Sequence, residues 1–310
     1  MKAFHSFWSR PNYVRNHGEI GFPDFELLTA ILSALHWRRH NGSIRMITDE
    51  RGAAYFRQLG LEGVWDEIDT GLDEIGPEVD PFLFWAAGKL YALQRMEAPC
   101  VMLDTDLIIW EDPALQDPGI WEREIVAAHA ETLNPLVYPD PSSFRLSGEY
   151  QYPADWDFTV DAANTAFLYL RDPAFRDRYV AQALRFFRNL IPNEQTDPVN
   201  AMCFAEQRIL PMCAKAAGKP VSYLLRAEAL EEQTIATHIW GYKNAMRMSE
   251  EAHLGFCLQC VRRILKDFPE AERFLRGRED LRGYLDRVLE EKTGMHESAG
   301  THQISEIQKI

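Results

Sequence analysis

The segment at residues 101–109, Val-Met-Leu-Asp-Thr-Asp-Leu-Ile-Ile, most constrains the fold, because it holds two carboxylates inside an apolar run. A short run of branched apolar side chains is typical of a buried strand. Such a strand excludes charges unless they are paired or bind a cation. We therefore expect Asp104 and Asp106 at the end of the strand, where they would bind a hard divalent metal. Magnesium usually binds through one or two carboxylates together with substrate phosphates, so a phosphorylated ligand is expected as well.

Strand-like and helix-like segments alternate along the chain on both sides of this run. Strands are predicted at 4–8, 44–49, 64–68 and 163–170, and helices at 25–39, 51–59, 82–95, 175–189 and about 199–217. Alternation at this spacing predicts an α/β fold with a mostly parallel sheet flanked by helices. In open sheets of this kind, ligands bind beyond the carboxyl ends of the strands, where we expect Asp104 and Asp106.

The remaining segments predict a long loop and a change of pattern near the C-terminus. Residues 131–158 are rich in turn residues and aromatic side chains, which favours an ordered wall or lid for an acceptor. Charge-laced helices are predicted at 252–268 and 270–291. We accordingly expect a catalytic domain at 1–245, a C-terminal helical extension at 246–293 and a flexible tail at 294–310.

Charge and cysteine usage exclude several classes of protein. The formal charge is −14, from 33 basic and 47 acidic residues, and no basic patch is evident, which argues against a nucleic-acid partner. No apolar stretch is long enough for a membrane span and no secretory signal is visible, so we expect a cytoplasmic protein. Five scattered cysteines suit reduced thiols. Cys257 and Cys260 read as thiols packed inside a helix, since no second Cys or His pair follows at zinc spacing.

Three downstream features add to the interpretation of the Asp pair. They are Asn164 at the start of an apolar strand, Glu206-Gln207 early in a helix, and His238, Gly241 and Lys243 close together. Histidine commonly completes a metal site. Gly241 lets the backbone approach a ligand, and Lys243 offers a charge for a phosphate.

The order Asp-x-Asp, Asn-x-Ala, Glu-Gln and His-x-x-Gly-x-Lys resembles the GT-A-fold glycosyltransferases, especially those related to glycosyltransferase family 8. Residues 84–90, Phe-Trp-Ala-Ala-Gly-Lys-Leu, also resemble the helix of that family whose basic residue faces the donor. The resemblance covers about residues 4–245. It implies a GT-A-like, Rossmann-like fold and a metal-dependent transfer of a sugar from a nucleotide-sugar, a UDP-sugar, with retention of anomeric configuration.

The resemblance also implies a role for each matching residue. Asp104 would contact the donor ribose and the metal, and Asp106 and His238 would bind Mn²⁺ or Mg²⁺. Lys243 and the Gly241 N–H would face the diphosphate, and Lys89 would hold the sugar or a phosphate. Asn164 would touch the transferred sugar, and Glu206 and Gln207 would line the reaction face. Phe7 and Trp8 could stack on the nucleobase, with a place in the core as the alternative. The acceptor stays open among a glycan, a lipid-linked molecule and a protein.

Two departures from the family pattern keep other functions open. Ala166 stands where the family has Gly, and Asn244-Ala245 follow Lys243 in place of Pro-Trp. A catalytically silent protein that binds a sugar nucleotide or a glycan is therefore one alternative. A metal-dependent phosphohydrolase is another, because the Asp pair also resembles the nucleophile loop of haloacid dehalogenase-type enzymes.

Each candidate residue also has a purely structural interpretation. The Asp pair could cap a strand end, and His238 could be an ordinary buried or surface histidine. Lys243 could be solvated, Asn164 could be a turn residue, and Glu206-Gln207 could lie on an exposed helix face.

Overall fold

The computed structural model describes residues 1–226 and 235–294 of the chain. The strands of this part are β1 Lys2–Phe7, β2 Ile44–Thr48, β3 Glu67–Asp69, β4 Cys100–Leu103, β5 Leu107–Ile109, β6 Ile125–Glu131, β7 Ala162–Leu170, β8 Val221–Tyr223 and β9 Ala236–His238. The α-helices are α1 Ser9–Arg15, α2 Asp24–His40, α3 Glu50–Gln58, α4 Ala87–Arg95, α5 Pro173–Asn189, α6 Pro198–Cys203, α7 Ile209–Ala216, α8 Lys243–Met248, α9 Glu250–Asp267 and α10 Glu279–Gly294. Apart from residue 294, the tail predicted at 294–310 lies outside the described residues.

Seven strands form one sheet in the order β3-β2-β1-β4-β7-β6-β8. The pairs on either side of β1, and the pairs β2–β3 and β6–β8, are parallel, while β7 runs antiparallel to both of its neighbours. β5 and β9 form a separate antiparallel pair. The prediction of an α/β fold with a mostly parallel sheet flanked by helices is confirmed.

Helices cover both faces of the sheet, as strand β4 shows most clearly. Successive side chains of a strand point to opposite faces. Val101 and Leu103 belong to one apolar cluster, which they share with α2, α9 and α10, and Cys100 and Met102 belong to the other, which they share with α4, α5 and α7. A strand buried on both faces reads as a continuous apolar run, which explains the pattern before Asp104.

Local signals set the end of α2 and the start of α3. After α2 the chain turns at Gly42, whose φ of +123° lies in the region that favours glycine. A Cβ at Gly42 would also stand 2.6 Å from the carbonyl oxygen of Met1. Helix α3 begins after Asp49, whose carboxylate accepts a hydrogen bond of 2.8 Å from the N–H of Gly52.

The structure corrects the prediction of a single strand over 101–109. β4 ends at Leu103 and β5 begins at Leu107, and the two strands belong to different sheets. Asp104 and Asp106 therefore lie in the connection between two strands, and not within one. The apolar pattern does not distinguish these cases, because both short strands are buried and β5 finds its partner β9 far along the chain.

Three further differences concern local turn chemistry. The helix predicted at 82–95 begins at Ala87, because the Asp80 carboxylate accepts N–H groups of the preceding turn. The helix predicted at 199–217 is divided by a π-helical turn, Phe204–Arg208. The helix predicted at 270–291 begins as the 3-10 helix Pro269–Leu275, and α10 follows it.

The C-terminal helices pack against the body of the fold. α9 lies along α2, and both contribute to the same apolar cluster as the sheet. Within the described ranges, no helix combines the length and apolarity that a membrane crossing requires.

Candidate active site

The sheet topology brings two predicted site residues, Asp104 and Asn164, to one edge together with Glu131. The six strands that run in one direction, β1, β2, β3, β4, β6 and β8, end at this edge, and the antiparallel β7 begins there. Asp104 directly follows β4, Glu131 is the last residue of β6, and Asn164 is the third residue of β7. In open α/β sheets this edge is where ligands bind.

The connection between β4 and β5 is a tight, hydrogen-bonded turn that fixes the Asp pair. The N–H of Asp104 donates to the carbonyl of Ala166 on β7 at 2.8 Å, and the N–H of Leu107 donates to the carbonyl of Asp104 at 3.1 Å. Both backbone ends of the turn are thus tied to strands. The carboxylates of Asp104 and Asp106 consequently stand on a rigid support.

His238 reaches the Asp pair through the small β5–β9 sheet. In the strand register, Leu107 lies opposite His238, and the N–H of Ile239 donates to the carbonyl of Asp106 at 3.1 Å. The Nε2 atom of His238 lies 3.6 Å from Oδ1 of Asp106. One ligand atom each from Asp104, Asp106 and His238 lies within 4.8 Å of the others, and we call these three residues the Asp-Asp-His cluster.

Asp106 is held ionised although it is buried. Its side chain is 8% exposed, and its Oδ2 atom lies 2.9 Å from Nζ of Lys243. Burial acts to raise the pKa of Asp106, but the interactions with His238 and Lys243 outweigh it and hold this pKa well below the ordinary value. An ionised carboxylate is the form that binds a cation.

Lys243, the first residue of α8, lies between two carboxylates. Its Nζ atom is 3.2 Å from Oε1 of Glu26, in the first turn of α2, as well as 2.9 Å from Asp106. Burial acts to lower the pKa of Lys243, but the two carboxylates raise it above its ordinary value. Glu26 was not predicted as a site residue, because no local pattern marks a carboxylate whose partner is so distant in the chain.

Lys89 makes a second buried ion-pair group on the other side of Asp104. Its Nζ atom lies 2.5 Å from Oδ1 of Asp104 and 2.7 Å from Oε1 of Glu206. Burial opposes the charge of Lys89, but the two carboxylates raise its pKa above the ordinary value. Burial, with Asp106 and Glu206 nearby, raises the pKa of Asp104 despite the attraction of Lys89.

Glu206 and Gln207 lie in the π-helical turn. Glu206 is 3% exposed and accepts a hydrogen bond of 2.5 Å from Oγ1 of Thr165, so an exposed helix face is excluded for it. The carbonyl oxygen of Glu206 accepts a hydrogen bond of 2.6 Å from the hydroxyl of Tyr179. Short π-helical turns within α-helices are frequent at functional sites. Here the turn directs Glu206 toward Lys89 and Gln207 toward a second group of polar side chains.

This second group, which we call the carboxylate-amide network, consists of Glu131, Tyr138, Asn164 and Gln207. Nδ2 of Asn164 donates to Oε1 of Glu131 at 2.7 Å. The hydroxyl of Tyr138 lies within hydrogen-bond distance of the Glu131 carboxylate and 2.5 Å from Oε1 of Gln207. Oδ1 of Asn164 accepts the N–H of Ala166 at 3.0 Å, so the amide orientation is fixed. The network therefore joins β6, β7, the π-helical turn and the loop predicted at 131–158.

Glu131 and Tyr138 were missed by the sequence reasoning, although a signal for Glu131 exists. The run Ile-Val-Ala-Ala at 125–128 is apolar, and a strand there would place Glu131 at the same edge as Asp104. For Tyr138 the aromatic composition of the loop at 131–158 indicated only that the loop could line a ligand site.

Three predicted ligand-binding residues belong to neither the Asp-Asp-His cluster nor the carboxylate-amide network. Phe7 packs edge-on against Phe22 and Phe56, and Trp8 is buried in the apolar cluster of α4 and α5. Gly241 lies in the 3-10 helix Ile239–Tyr242, between His238 and Lys243 along the chain, and a Cβ at this position would meet no atom within 4 Å. Their roles toward a ligand stay predictions.

The donor set of the Asp-Asp-His cluster fits a hard divalent cation. Two carboxylates and an imidazole offer the oxygen and nitrogen ligands that Mg²⁺ and Mn²⁺ accept. Oδ1 of Asp104 lies 2.5 Å from Nζ of Lys89, so a cation at the cluster would share this carboxylate with the lysine.

A cleft of about 580 Å³ lies elsewhere, beside the turn at Gly42, and three arginines line it. Arg38 binds backbone carbonyls and Asp66, Arg39 covers the ring of Phe268, and Arg273 covers that of Phe274. The guanidinium groups are thus engaged within the fold, and the chemistry favours the sheet edge with the Asp-Asp-His cluster as the candidate site.

Comparisons with known proteins give a family and a set of remote structural likenesses. A model described as "Family of unknown function (DUF6734)" matches residues 1–271. No protein of curated function matches the chain. Similar solved structures include glycosyltransferase GlyE of Streptococcus pneumoniae TIGR4, with 14% identity over 74% of this chain and a TM-score of 0.36. This chain spans 46% of the length of GlyE.

Two further similar structures are also named as transferases. Mouse xyloside xylosyltransferase 1 shares 10% identity over 72% of this chain and 85% of its own, with a TM-score of 0.39. Galactosyltransferase LgtC, solved with donor and acceptor sugar analogs, shares 11% identity over 72% of this chain and 73% of its own, with a TM-score of 0.37.

Proposed function

The chain belongs to DUF6734, a family of unknown function, and for it we propose a metal-dependent glycosyltransferase that moves a sugar from a UDP-sugar to an acceptor. One observation carries the proposal. The Asp-Asp-His cluster stands at the carboxyl edge of a mostly parallel sheet, with Lys89 on one side and Lys243 on the other. A cation site flanked by two fixed lysines suits a ligand that carries a diphosphate.

The side chains around the cluster divide naturally between the parts of such a donor. Asp106 and His238 would hold Mn²⁺ or Mg²⁺, and Asp104 would touch both the metal and the ribose. A bound metal would supply positive charge to the diphosphate oxygens. Lys243 would exchange part of its contact with Asp106 for a phosphate oxygen, because Glu26 keeps its ammonium group at the site. The N–H of Gly241 would donate to the same diphosphate.

The carboxylate-amide network and Glu206 would face the transferred sugar. Asn164 offers an amide group whose orientation is already fixed by hydrogen bonds, and Gln207 offers a second amide beside the hydroxyl of Tyr138. Lys89, held between Asp104 and Glu206, would contact a sugar hydroxyl or a phosphate. Preorganised groups of this kind act without reorganisation during the reaction. The acceptor would lie against the aromatic loop at 131–158.

The chemistry of transfer explains why cations are needed at this place. The bond between the anomeric carbon and the diphosphate oxygen breaks, and its electron pair leaves with the diphosphate. The acceptor hydroxyl oxygen forms the new bond to that carbon, and its proton passes to the released diphosphate or to water. Negative charge therefore grows on the diphosphate beside Lys243, which stabilises it. Retention of anomeric configuration is part of the proposal on the strength of the motif resemblance.

A catalytically silent protein that binds a nucleotide-sugar or a glycan is a second candidate, and one observation favours it. Within the chain itself, each carboxylate of the Asp pair already faces a lysine, Lys89 beside Asp104 and Lys243 beside Asp106. Charge at the site is thus partly balanced without a metal. Ala166 and Asn244-Ala245, which depart from the family pattern, point the same way.

Turnover of UDP-hexoses tests the proposal. Release of UDP is measured with Mn²⁺ for the wild type, for Lys243→Met and for the control Arg247→Met. Arg247 also lies near Glu26, at 3.7 Å, but its side chain is 57% exposed. We expect Lys243→Met to slow release by about 10²–10³, the scale of lost transition-state charge stabilisation, and Arg247→Met to leave the rate unchanged.

Three results would contradict the assignment. Equal rates for the wild type and Lys243→Met would remove Lys243 from the reaction. Metal-dependent binding of UDP-hexoses without UDP release, across glycan, lipid-linked and protein acceptors, would favour the silent binding protein. Release of free phosphate from simple phosphate esters would favour the phosphohydrolase instead.

A further inference from the structure

A second cluster of potential metal ligands lies where α2, α9 and α10 meet. Asp24 is the first residue of α2, His253 and Cys257 belong to α9, and Tyr284 belongs to α10. The apolar cluster of these three helices surrounds the group, and Leu281 and Leu285 are fully buried there. Because apolar side chains could fill such a position without a desolvation cost, a polar group here calls for a specific explanation.

The ligand atoms of this group converge on one point. One atom each from Asp24, His253 and Cys257 lies within 4.8 Å of the others, and we call these residues the Asp-His-Cys cluster. Nε2 of His253 is 2.8 Å from Oδ1 and 2.9 Å from Oδ2 of Asp24. In a tetrahedral zinc site, bonds of about 2.0–2.3 Å place the ligand atoms about 3.3–3.6 Å apart. Side-chain shifts on the order of an ångström would therefore make room for the ion between the ligand atoms.

The helix geometry supports a shared ligand. His253 and Cys257 are four residues apart on α9 and so lie on one face, one turn apart. Asp24 approaches that face from α2 and is 8% exposed. The hydroxyl of Tyr284 donates to Oδ2 of Asp24 at 2.5 Å, which orients the carboxylate as the outer partners of metal ligands do.

The donor chemistry differs from that of the Asp-Asp-His cluster. A thiolate, an imidazole and a carboxylate form a soft, mixed donor set that suits Zn²⁺, whereas Mg²⁺ and Mn²⁺ prefer oxygen ligands. One thiolate and one carboxylate also neutralise a divalent ion, which matters in an apolar surrounding. The His253 side chain is 32% exposed, so solvent can reach the fourth coordination position.

We propose that Asp24, His253 and Cys257 bind Zn²⁺ and that this ion clamps α9 to the start of α2. The site is separate from the Asp-Asp-His cluster and does not depend on the proposed transferase activity. The sulfur ligand of a zinc ion is a thiolate, so binding displaces the proton of the Cys257 thiol. Asp24 lies two residues before Glu26, and the clamp thereby also fixes the helical turn that carries the partner of Lys243.

Cobalt substitution tests the proposal in the chain of residues 1–310. The chain is freed of metal with a chelator and titrated with Co²⁺, whose thiolate charge-transfer absorption reports a coordinated sulfur. We expect one such site per chain in the wild type, and its displacement by Zn²⁺. We expect Cys257→Ser to lose the absorption, and Cys260→Ser, the neighbouring buried thiol, to keep it. Asp106→Asn should keep it as well, because the two clusters are separate.

A further variant keeps the test decisive if Cys257→Ser does not fold. His253→Gln alters a partly exposed side chain, leaves every thiol in place, and should weaken Co²⁺ binding at this site at least about tenfold. The absence of thiolate absorption in folded wild type at saturating Co²⁺ would overturn the proposal and leave a metal-free hydrogen-bonded group. Unchanged absorption in Cys257→Ser or unchanged affinity in His253→Gln would overturn it too.

Discussion

His5 supports the Asp pair from inside the core. The indole N–H of Trp65 donates to Nδ1 of His5 at 3.1 Å, so Nε2 carries the proton and faces Oγ of Ser33 at 3.0 Å. Ser33 in turn donates to the carbonyl of Leu107 at 2.5 Å. The backbone that follows Asp106 is thus held by a chain of hydrogen bonds that requires a neutral imidazole.

The pH dependence of stability should reveal this neutral histidine. Burial lowers the pKa of His5 to about 3, although the charge of Asp106 acts to raise it. In the unfolded chain His5 protonates near pH 6.5, so below that pH the unfolded state binds more protons and stability falls. We expect the free energy of unfolding to fall from His5 alone by about 1.4 kcal/mol per pH unit between about pH 6.5 and pH 3.

Urea unfolding at about pH 7 and about pH 5 measures this loss of unfolding free energy. The buried His36, whose pKa burial lowers to about 4, contributes in the same direction, so His5→Gln should flatten the dependence without abolishing it. His17→Asn, at an exposed position, serves as the control and should leave the slope unchanged. An identical slope in His5→Gln and wild type would show that His5 is not held neutral.

At the scale of elements, local patterns predicted what local forces determine. The helices at 25–39 and 175–189 were found within two residues of α2 and α5, because apolar periodicity and end residues are read over one short segment. The single strand predicted at 101–109 was wrong, because its division depends on β9, far along the chain. Glu26, Thr165 and Tyr138 were missed for a similar reason, because their partners come from other elements.

Gly277 gives a direct probe of how the C-terminal helices dock. A Cβ at Gly277 would lie 1.9 Å from the carbonyl oxygen of Leu59, whereas a Cβ at Gly283, inside α10, would meet nothing within 4 Å. We expect Gly277→Ala to lower the free energy of unfolding by about 1–3 kcal/mol through overpacking. Gly283→Ala should raise it by about 0.5–1 kcal/mol, because alanine favours the helix.

Chemical denaturation of the two alanine variants provides the comparison. Opposite signs would establish that the segment before α10 lies directly against the end of α3. A Gly277→Ala protein as stable as the wild type would contradict that contact.

At the scale of the whole molecule, one apolar cluster joins the sheet to the C-terminal helices. It contains Val101 and Leu103 of β4, Leu28 of α2, and Val261 and Ile264 of α9. The division at residue 245 into a catalytic domain and a helical extension stays a prediction. The shared cluster nevertheless indicates that the helices after residue 245 contribute to the stability of the body.

Truncation tests that contribution. A chain that ends at residue 245 loses α9 and α10 and uncovers apolar surface of α2. We expect it to bind a hydrophobic dye and to lose its cooperative thermal transition. A chain that ends at residue 294 is the matched control and should unfold like the full chain, since every member of the described cluster lies before residue 292. A stable, cooperatively folding 1–245 chain would contradict the expectation.

Metal-dependent binding of a nucleotide-sugar at Asp106 tests the central claim most directly. Thermal shifts are recorded for wild type and Asp106→Ala with UDP-, GDP-, CMP- and dTDP-linked ligands, with and without Mn²⁺, since a ligand that binds the folded state raises Tm. We predict a rise with UDP-sugars that requires Mn²⁺ and is lost in Asp106→Ala. A folded wild type that binds Mn²⁺ yet responds to no nucleotide-sugar would contradict the glycosyltransferase account.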